Sequence, residues 1–364
     1  MAPEVIEFGH LNLPQRCMDI LKESRKPNTR HCYFDKWKRF VIWCQNKQIN
    51  PVDCTPSNVV TYMLHLLDAG LVFNSLKVHL AALSAYTTSH NKVSWWKVPV
   101  VKAFMEGVKR LHPPISNPPP GWDLNVVLAK LMGPPFEPMH KSSLKHLTYK
   151  TAFLVAITSI RRVSEIQALS VQDPFFTIHK DKLVLRTHPR FSPKFISKFH
   201  VNQSIELPAF FQNPQSSAEV KLHTLDVCRA VLYYVNKTRS LRKTDQLFVS
   251  VATGREGDRV SKGAISKWII NCIQLCYSLS EKTLPFTPRA HSTRGIGATL
   301  AFIANVPLDT ICKAATWSSI HTFTQHYCID THSKTDTQVG QAVLRHRFAH
   351  DPSHIPPPSS GTAR

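Results

Sequence analysis

The chain has 364 residues, 43% of them apolar, and carries 45 Lys and Arg against 24 Asp and Glu, a net charge of +21. That apolar content excludes a disordered chain, and the lack of any apolar run near 18 residues predicts no transmembrane helix. The first residues lack the basic-then-apolar order of a secretory signal, and nine scattered cysteines without a Cys-x-x-Cys pair predict reduced thiols in an intracellular compartment.

The positive excess is spread over both halves, so it is not a detachable tail. A folded chain that keeps such self-repulsion usually faces a polyanion, nucleic acid foremost. A merely soluble basic protein is the plain alternative.

In chain order, residues 28–112 predict a bundle of four or five helices. Phe34, Trp37, Phe40, Val41 and Cys44 recur at spacings of three and four, an apolar stripe, while Lys36, Lys38, Arg39 and Lys47 fall elsewhere on the same helix. Residues 55–70 open on a Thr-Pro cap signal and stop at Gly70. Over 74–90, Leu76, Leu80, Leu83 and Tyr86 share a stripe that leaves Lys77 outside it. A last helix covers 98–111. The stretch PPISNPPPG at 113–121 has five prolines in nine positions and predicts a semi-rigid interdomain linker.

Beyond the linker, 142–160 predicts a helix, and FFTIH, KLVLRTH and FHVNQSIEL predict three short strands. Helical patterns return at 223–237, 262–279, 292–304 and 307–314. Cys272 and Cys276 sit four apart on an apolar helix, where buried thiols are the default and a metal site is not expected. Residues 351–364 predict a disordered tail.

Four stretches carry candidate chemistry. In SIRRVSEI, an arginine precedes Glu165 by three positions, which suits a salt bridge or a carboxylate that orients a phosphate-binding guanidinium. THPRFSPKFISKF places Lys194 and Lys198 in or near a hairpin turn, where lysines are usually just solvated. In HSTR, His291 and Arg294 share a helix face, as an acid–base group beside a phosphate clamp would. ATWSSIHTFTQHY holds Trp317 and Tyr327, either two core aromatics or a nucleophile and a packing partner.

Taken in order, Arg, hairpin Lys, His-x-x-Arg, Trp and Tyr, in a basic domain after a helical one, resemble the tyrosine recombinase (phage integrase) family over residues 28–335. RVSEI, HSTRG and ATWSSIHTFTQHY look most like the recombinases of DIRS-type retrotransposons. The resemblance implies a mainly α fold with a small antiparallel β-sheet: a helical, SAM-like core-binding domain at 15–112, the linker, and a mixed α/β catalytic domain at 122–350. It implies Arg162 and Arg294 as the phosphate clamp, Glu165 as its support, His291 as the proton acceptor and Lys194 as the general acid, with Lys198 second. Trp317 would pack on the site and Tyr327 would be the nucleophile. Lys36, Lys38, Arg39, Lys77 and Lys198 are the expected DNA contacts.

The implied activity is site-specific DNA recombination or integration through a 3′-phosphotyrosyl intermediate, with no metal or other cofactor and no ATP. Its partner is double-stranded DNA in the nucleus, without a membrane or small-molecule cofactor. Val339, Val343 and Leu344 form a small apolar cluster at helical spacing, which the resemblance assigns to exchange between neighbours in a tetramer on paired sites. A catalytically decayed, sequence-specific DNA-binding protein and a type IB topoisomerase-like strand cleaver are the competing expectations.

Overall fold

A computed structural model describes residues 13–87, 93–113, 121–193, 203–210 and 212–328. The chain divides into two compact units, 1–116 and 117–364, and the division falls within the proline-rich stretch. Among the described residues the fold is mainly helical with one three-stranded antiparallel sheet.

The first unit comprises α1 (Gln15–Lys22), α2 (Pro27–Asn46), α3 (Pro56–Asp68), α4 (Phe73–Tyr86), a 3-10 turn (Trp95–Lys97) and α5 (Pro99–Leu111). Three of these helices start on a proline, whose missing N–H is one that a first turn leaves unpaired in any case. Thr55 caps α3 by accepting the Asn58 N–H at 3.3 Å. Phe40, Trp43, Cys44, Leu76, Leu80 and Leu83 fill the core between α2 and α4. The stripe on α2 is therefore rotated from the expected one: Trp43 is buried, while Phe34 lies partly exposed beneath the Lys38 ammonium at 4.4 Å. The Tyr62 ring meets Phe40 edge-on at 4.9 Å, and its hydroxyl bonds the buried His79 Nδ1 at 3.2 Å. Helix α4 ends at Tyr86, four residues short of the expected stop, and the buried Thr87 hydroxyl accepts the Trp95 indole N–H at 2.9 Å.

The second unit is organised on one helix. It contains α6 (Leu124–Leu131), α7 (Leu144–Ser159), α8 (Val163–Gln167), β1 (Phe176–Ile178), β2 (Lys182–Arg186), β3 (Ser204–Pro208), α9 (Ser217–Thr224) and α10 (Val227–Thr238). It continues with α11 (Lys262–Leu279), α12 (Ser292–Ile303), α13 (Leu308–Ala314) and α14 (Ile320–His326). Residues 147–157 of α7 are buried without a break, so no polar face is possible. Its threonines fit because they bond back into the helix: Thr148 and Thr151 donate to the Leu144 and Leu147 carbonyls at 2.7 and 2.8 Å.

The sheet runs β1-β2-β3, with Leu183 opposite Leu207 and Leu185 opposite Ile205 on the buried face. The helix expected over 223–237 is two helices. Asp226 interrupts it by accepting both the Phe210 and Arg229 N–H groups, at 2.7 and 2.9 Å. Gly297 lets α12 close on the end of α7, since a Cβ there would stand 2.6 Å from the Ile157 carbonyl oxygen and 2.7 Å from Ile160 Cγ2.

No helix among the described residues is long and apolar enough to cross a membrane. None of their His, Cys, Asp and Glu side chains gather in threes to hold a metal, and both Cys272 and Cys276 are buried.

Candidate active site

Helix α7 stops where Ile160 enters the left-handed region at φ 47°. This turns Arg161 and Arg162 away from the helix axis, and Arg162 becomes the extended N-cap of α8. Glu165, three residues on, accepts the Arg162 N–H at 3.3 Å, as the acidic member of a capping box does. The same buried carboxylate receives Arg162 Nη1 at 2.9 Å and lies 3.9 Å from Arg161 Nη1. The two adjacent arginines then diverge. Arg161 is buried and donates through Nη2 to the Ser204 carbonyl at the start of β3, at 2.9 Å; burial pushes its pKa down. Arg162 is more open and bonds the Thr316 hydroxyl at 3.2 Å.

Helix α12 supplies the second pair. The Trp122 indole N–H donates to Ser292 Oγ at 2.9 Å, and Ser292 donates to the Arg289 carbonyl at 2.6 Å, which fixes the start of the helix. His291 is exposed at that start, and Arg294 one turn later has no exposed surface at all. Arg294 Nη2 donates to the Ala315 carbonyl, and its guanidinium lies 4.7 Å from the Trp317 ring and 5.2 Å from the Tyr327 ring. Burial, and after it the charge of Arg162, lowers its pKa to about 10.

The loop after α13 joins the two pairs. Trp317 N–H bonds the Cys312 carbonyl at 2.8 Å and Thr316 N–H bonds that of Lys313 at 3.1 Å, the two bonds of a Schellman turn. Its left-handed position, where glycine is usual, is held by Thr316 at φ 53°. A β-branched residue there is strained by about 1 kcal/mol or more. Trp317, nearly fully buried, packs with Ile160, Ala298, Ile311 and Phe323, and its ring sits 4.5 Å from that of Tyr327.

Tyr327 follows the last turn of α14. Its backbone N–H bonds the Phe323 carbonyl at 2.9 Å and its carbonyl accepts from Thr299 Oγ1 at 3.2 Å. Its hydroxyl stands 3.0 Å from His291 Nε2.

Arg162, Glu165, His291, Arg294, Trp317 and Tyr327 are thus brought into one connected cluster. Lys194 and Lys198 lie outside the described residues. Lys36, Lys38, Arg39 and Lys77 belong to the first unit, where Lys38, Arg39 and Lys77 are exposed. Thr316, Thr299 and the Ala315 carbonyl are the participants that sequence reasoning missed. The available signal was the absence of a glycine between Lys313 and Trp317, where α13 has to end.

Among the described residues, Arg294 Nε, Arg294 Nη1 and Trp317 Nε1 are buried donors without an acceptor. Orphaned donors of this kind are uncommon and need a reason. Three open donor nitrogens, two on the Arg294 guanidinium and one on the Trp317 indole, with a phenol–imidazole pair beside them, suit an anion on which an oxygen nucleophile acts.

No protein-family model matches the chain, and no curated protein matches it. The fold does match solved structures. The Tn1549 transposon integrase in complex with circular intermediate DNA superposes with a TM-score of 0.55 at 12% identity, over 93% of this chain and 97% of that one. A lambda integrase dimer bound to a COC′ core site gives 0.51 at 15% identity, covering 86% and 75%. XerH site-specific recombinase bound to a palindromic difH substrate gives 0.50 at 16% identity, covering 80% and 73%. The chain therefore has the fold of integrases and site-specific recombinases, and at these identities the likeness is one of fold.

Proposed function

We propose that this chain is a tyrosine recombinase that cuts and rejoins double-stranded DNA through a 3′-phosphotyrosyl intermediate. The observation that carries this reading is the 3.0 Å contact between His291 Nε2 and the Tyr327 hydroxyl, beside a buried arginine whose remaining donors are open. A phenol with a pKa near 10 is only about 0.1% ionised at neutral pH, so a nucleophilic tyrosine needs an adjacent base and nearby positive charge.

In the proposed reaction, the Tyr327 oxygen attacks the scissile phosphorus as His291 takes the phenolic proton. Arg162 and Arg294 neutralise the non-bridging oxygens, with the Trp317 N–H as a further donor. The 5′-oxygen leaves with a proton from Lys194, or from Lys198 as the second choice. The phosphodiester is exchanged for a phosphotyrosyl ester of similar energy, so a 5′-hydroxyl can reverse the step without ATP and without a metal. Glu165 orients Arg162. The DNA-bound states of the three fold relatives support DNA as the partner, with Lys36, Lys38, Arg39 and Lys77 as backbone contacts from the first unit. Nuclear action, a DIRS-type origin and a tetramer exchanging the segment around Val339, Val343 and Leu344 belong to the same proposal.

The test is covalent capture on a library of nicked duplexes. The protein should form a DNA adduct that resists denaturant and yields to protease, and Tyr327→Phe should bind the same DNA without forming it. An adduct of normal yield from Tyr327→Phe would move the nucleophile elsewhere, and no adduct from the unaltered protein would reject the reading.

A further inference from the structure

Thr316 combines two features that rarely coincide. It occupies the left-handed position of the α13 turn at φ 53°, where a glycine would be free of strain, and its buried side chain bonds to groups 151 and 154 residues away. The hydroxyl accepts from Arg162 Nη1 at 3.2 Å and donates to Glu165 Oε1 at 3.4 Å, while Arg162 and Glu165 bond each other at 2.9 Å. Among the described residues, every side-chain hydrogen bond of Arg162 uses Nη1, so Nη2 and Nε stay open. On either side of Thr316, the Ala315 carbonyl receives Arg294 and the Trp317 ring lies under it.

A strained residue persists only where the surrounding contacts hold it, and such residues gather at working sites. Here the strain coincides with a side chain that a glycine could not supply. We infer that Thr316 is a positioning residue: its hydroxyl fixes one edge of Arg162 and so sets the angle between the two guanidinium groups that grip the phosphate. It touches neither substrate nor nucleophile. This rests on the recombinase reading above.

The hydrogen-bond pattern dictates the variants. Thr316→Gly removes both the strain and the hydroxyl. Thr316→Ser keeps the hydroxyl on an unbranched side chain, and Thr316→Val keeps the branch without it. With a nicked duplex recovered by covalent capture on the unaltered protein, Thr316→Gly should hold its thermal midpoint and its affinity for the duplex. Its single-turnover cleavage at saturating DNA should fall about ten- to a hundredfold, the range of a lost hydrogen bond to a charged group. Thr316→Val should fall similarly and Thr316→Ser should recover most of the rate.

Because the hydroxyl acts through Arg162, adding Thr316→Gly to Arg162→Ala should slow cleavage by less than about twofold more. Full cleavage by a stable Thr316→Gly, or losses that multiply in the double variant, would overturn the assignment while leaving the recombinase reading intact. Absence of any adduct from the unaltered protein would remove both.

Discussion

Lys150 and Arg294 are both wholly buried cations of the same unit, and the molecule treats them in opposite ways. Lys150 donates to Glu137 at 2.6 Å and to the Leu131 carbonyl at 2.9 Å. Glu137 is gripped on its other side by both Nη atoms of Arg229, at 2.8 and 3.2 Å, and accepts the Met139 N–H at 3.2 Å. Burial works to raise the Glu137 pKa, yet the hydrogen bonds of Arg229 and the charge of Lys150 hold the carboxyl below its usual value. Burial lowers the pKa of both cations, that of Arg294 to about 10, but Arg294 makes no ion pair among the described residues and keeps two donors open. The first cluster is closed on itself and serves the fold. The second leaves two guanidinium donors without acceptors among the described residues, as the proposed phosphate-binding role of Arg294 requires, and the fold bears its unfavourable burial.

The largest expected effect lies in the closed cluster. Glu137→Gln leaves Lys150 buried without its carboxylate and should lower stability by about 3–5 kcal/mol in denaturant melts. With its folded-state pKa depressed, Glu137 contributes stability that is present above its unfolded value, near 4.3, and is lost as pH falls through the folded value. The variant and the unaltered protein should therefore converge in strong acid. Parallel curves down to that range would show that the cluster does not hold the fold as described.

Arg294→Met should do the reverse. Stability should stay level or rise, because an unpaired buried charge is replaced by an apolar chain of similar length, while DNA cleavage slows on the order of 10²–10³-fold, as for loss of an oxyanion donor. A melt showing a loss comparable to that of Glu137→Gln would make the two clusters alike and break the comparison.

The first unit sharpens it with a third solution, neutrality. Burial, with Lys36 and Arg39 nearby, lowers the His79 pKa to about 4. The unfolded chain then binds a proton that the folded one refuses between about 6.5 and 4, so stability falls as pH drops through that window, by about 3 kcal/mol. Replacing His79 with Gln should flatten this segment of the pH–stability curve. An unchanged slope would mean that the histidine charges inside the core.

Trp317→Phe should have the smallest effect. It keeps an aromatic ring against Tyr327 but removes the open N–H together with one ring of the indole, so cleavage should slow about tenfold with DNA affinity retained. A rate equal to that of the unaltered protein would show that the indole N–H serves packing geometry alone.

Much of the fold was legible because helix and strand signals are local. The stripe of α4, the apolar stretch Ala152–Ile157 of α7 and the short apolar run of β2 each depend on neighbours a few residues away. The breaks were less legible: Asp226 splits a continuous helical pattern because its carboxylate is bound by an N–H from sixteen residues upstream, which no periodicity records.

For the site, the sequence by itself determined the order of residue types: Arg-x-x-Glu, His-x-x-Arg, then Trp and Tyr. It also placed His291 and Arg294 one helical turn apart, since i and i+3 share a face whatever the tertiary context. It could not decide which of two adjacent arginines faces Thr316 and which faces the sheet. That depends on the left-handed turn at Ile160, which sends Arg161 toward Ser204 and leaves Arg162 for Glu165 and Thr316. Nor could it show that Arg294 lacks a carboxylate while Lys150 has one. The partners of a buried charge are set by packing: Lys150 meets Glu137 from 13 residues away and Glu137 meets Arg229 from 92, and only the assembled core brings such donors and acceptors within hydrogen-bonding distance.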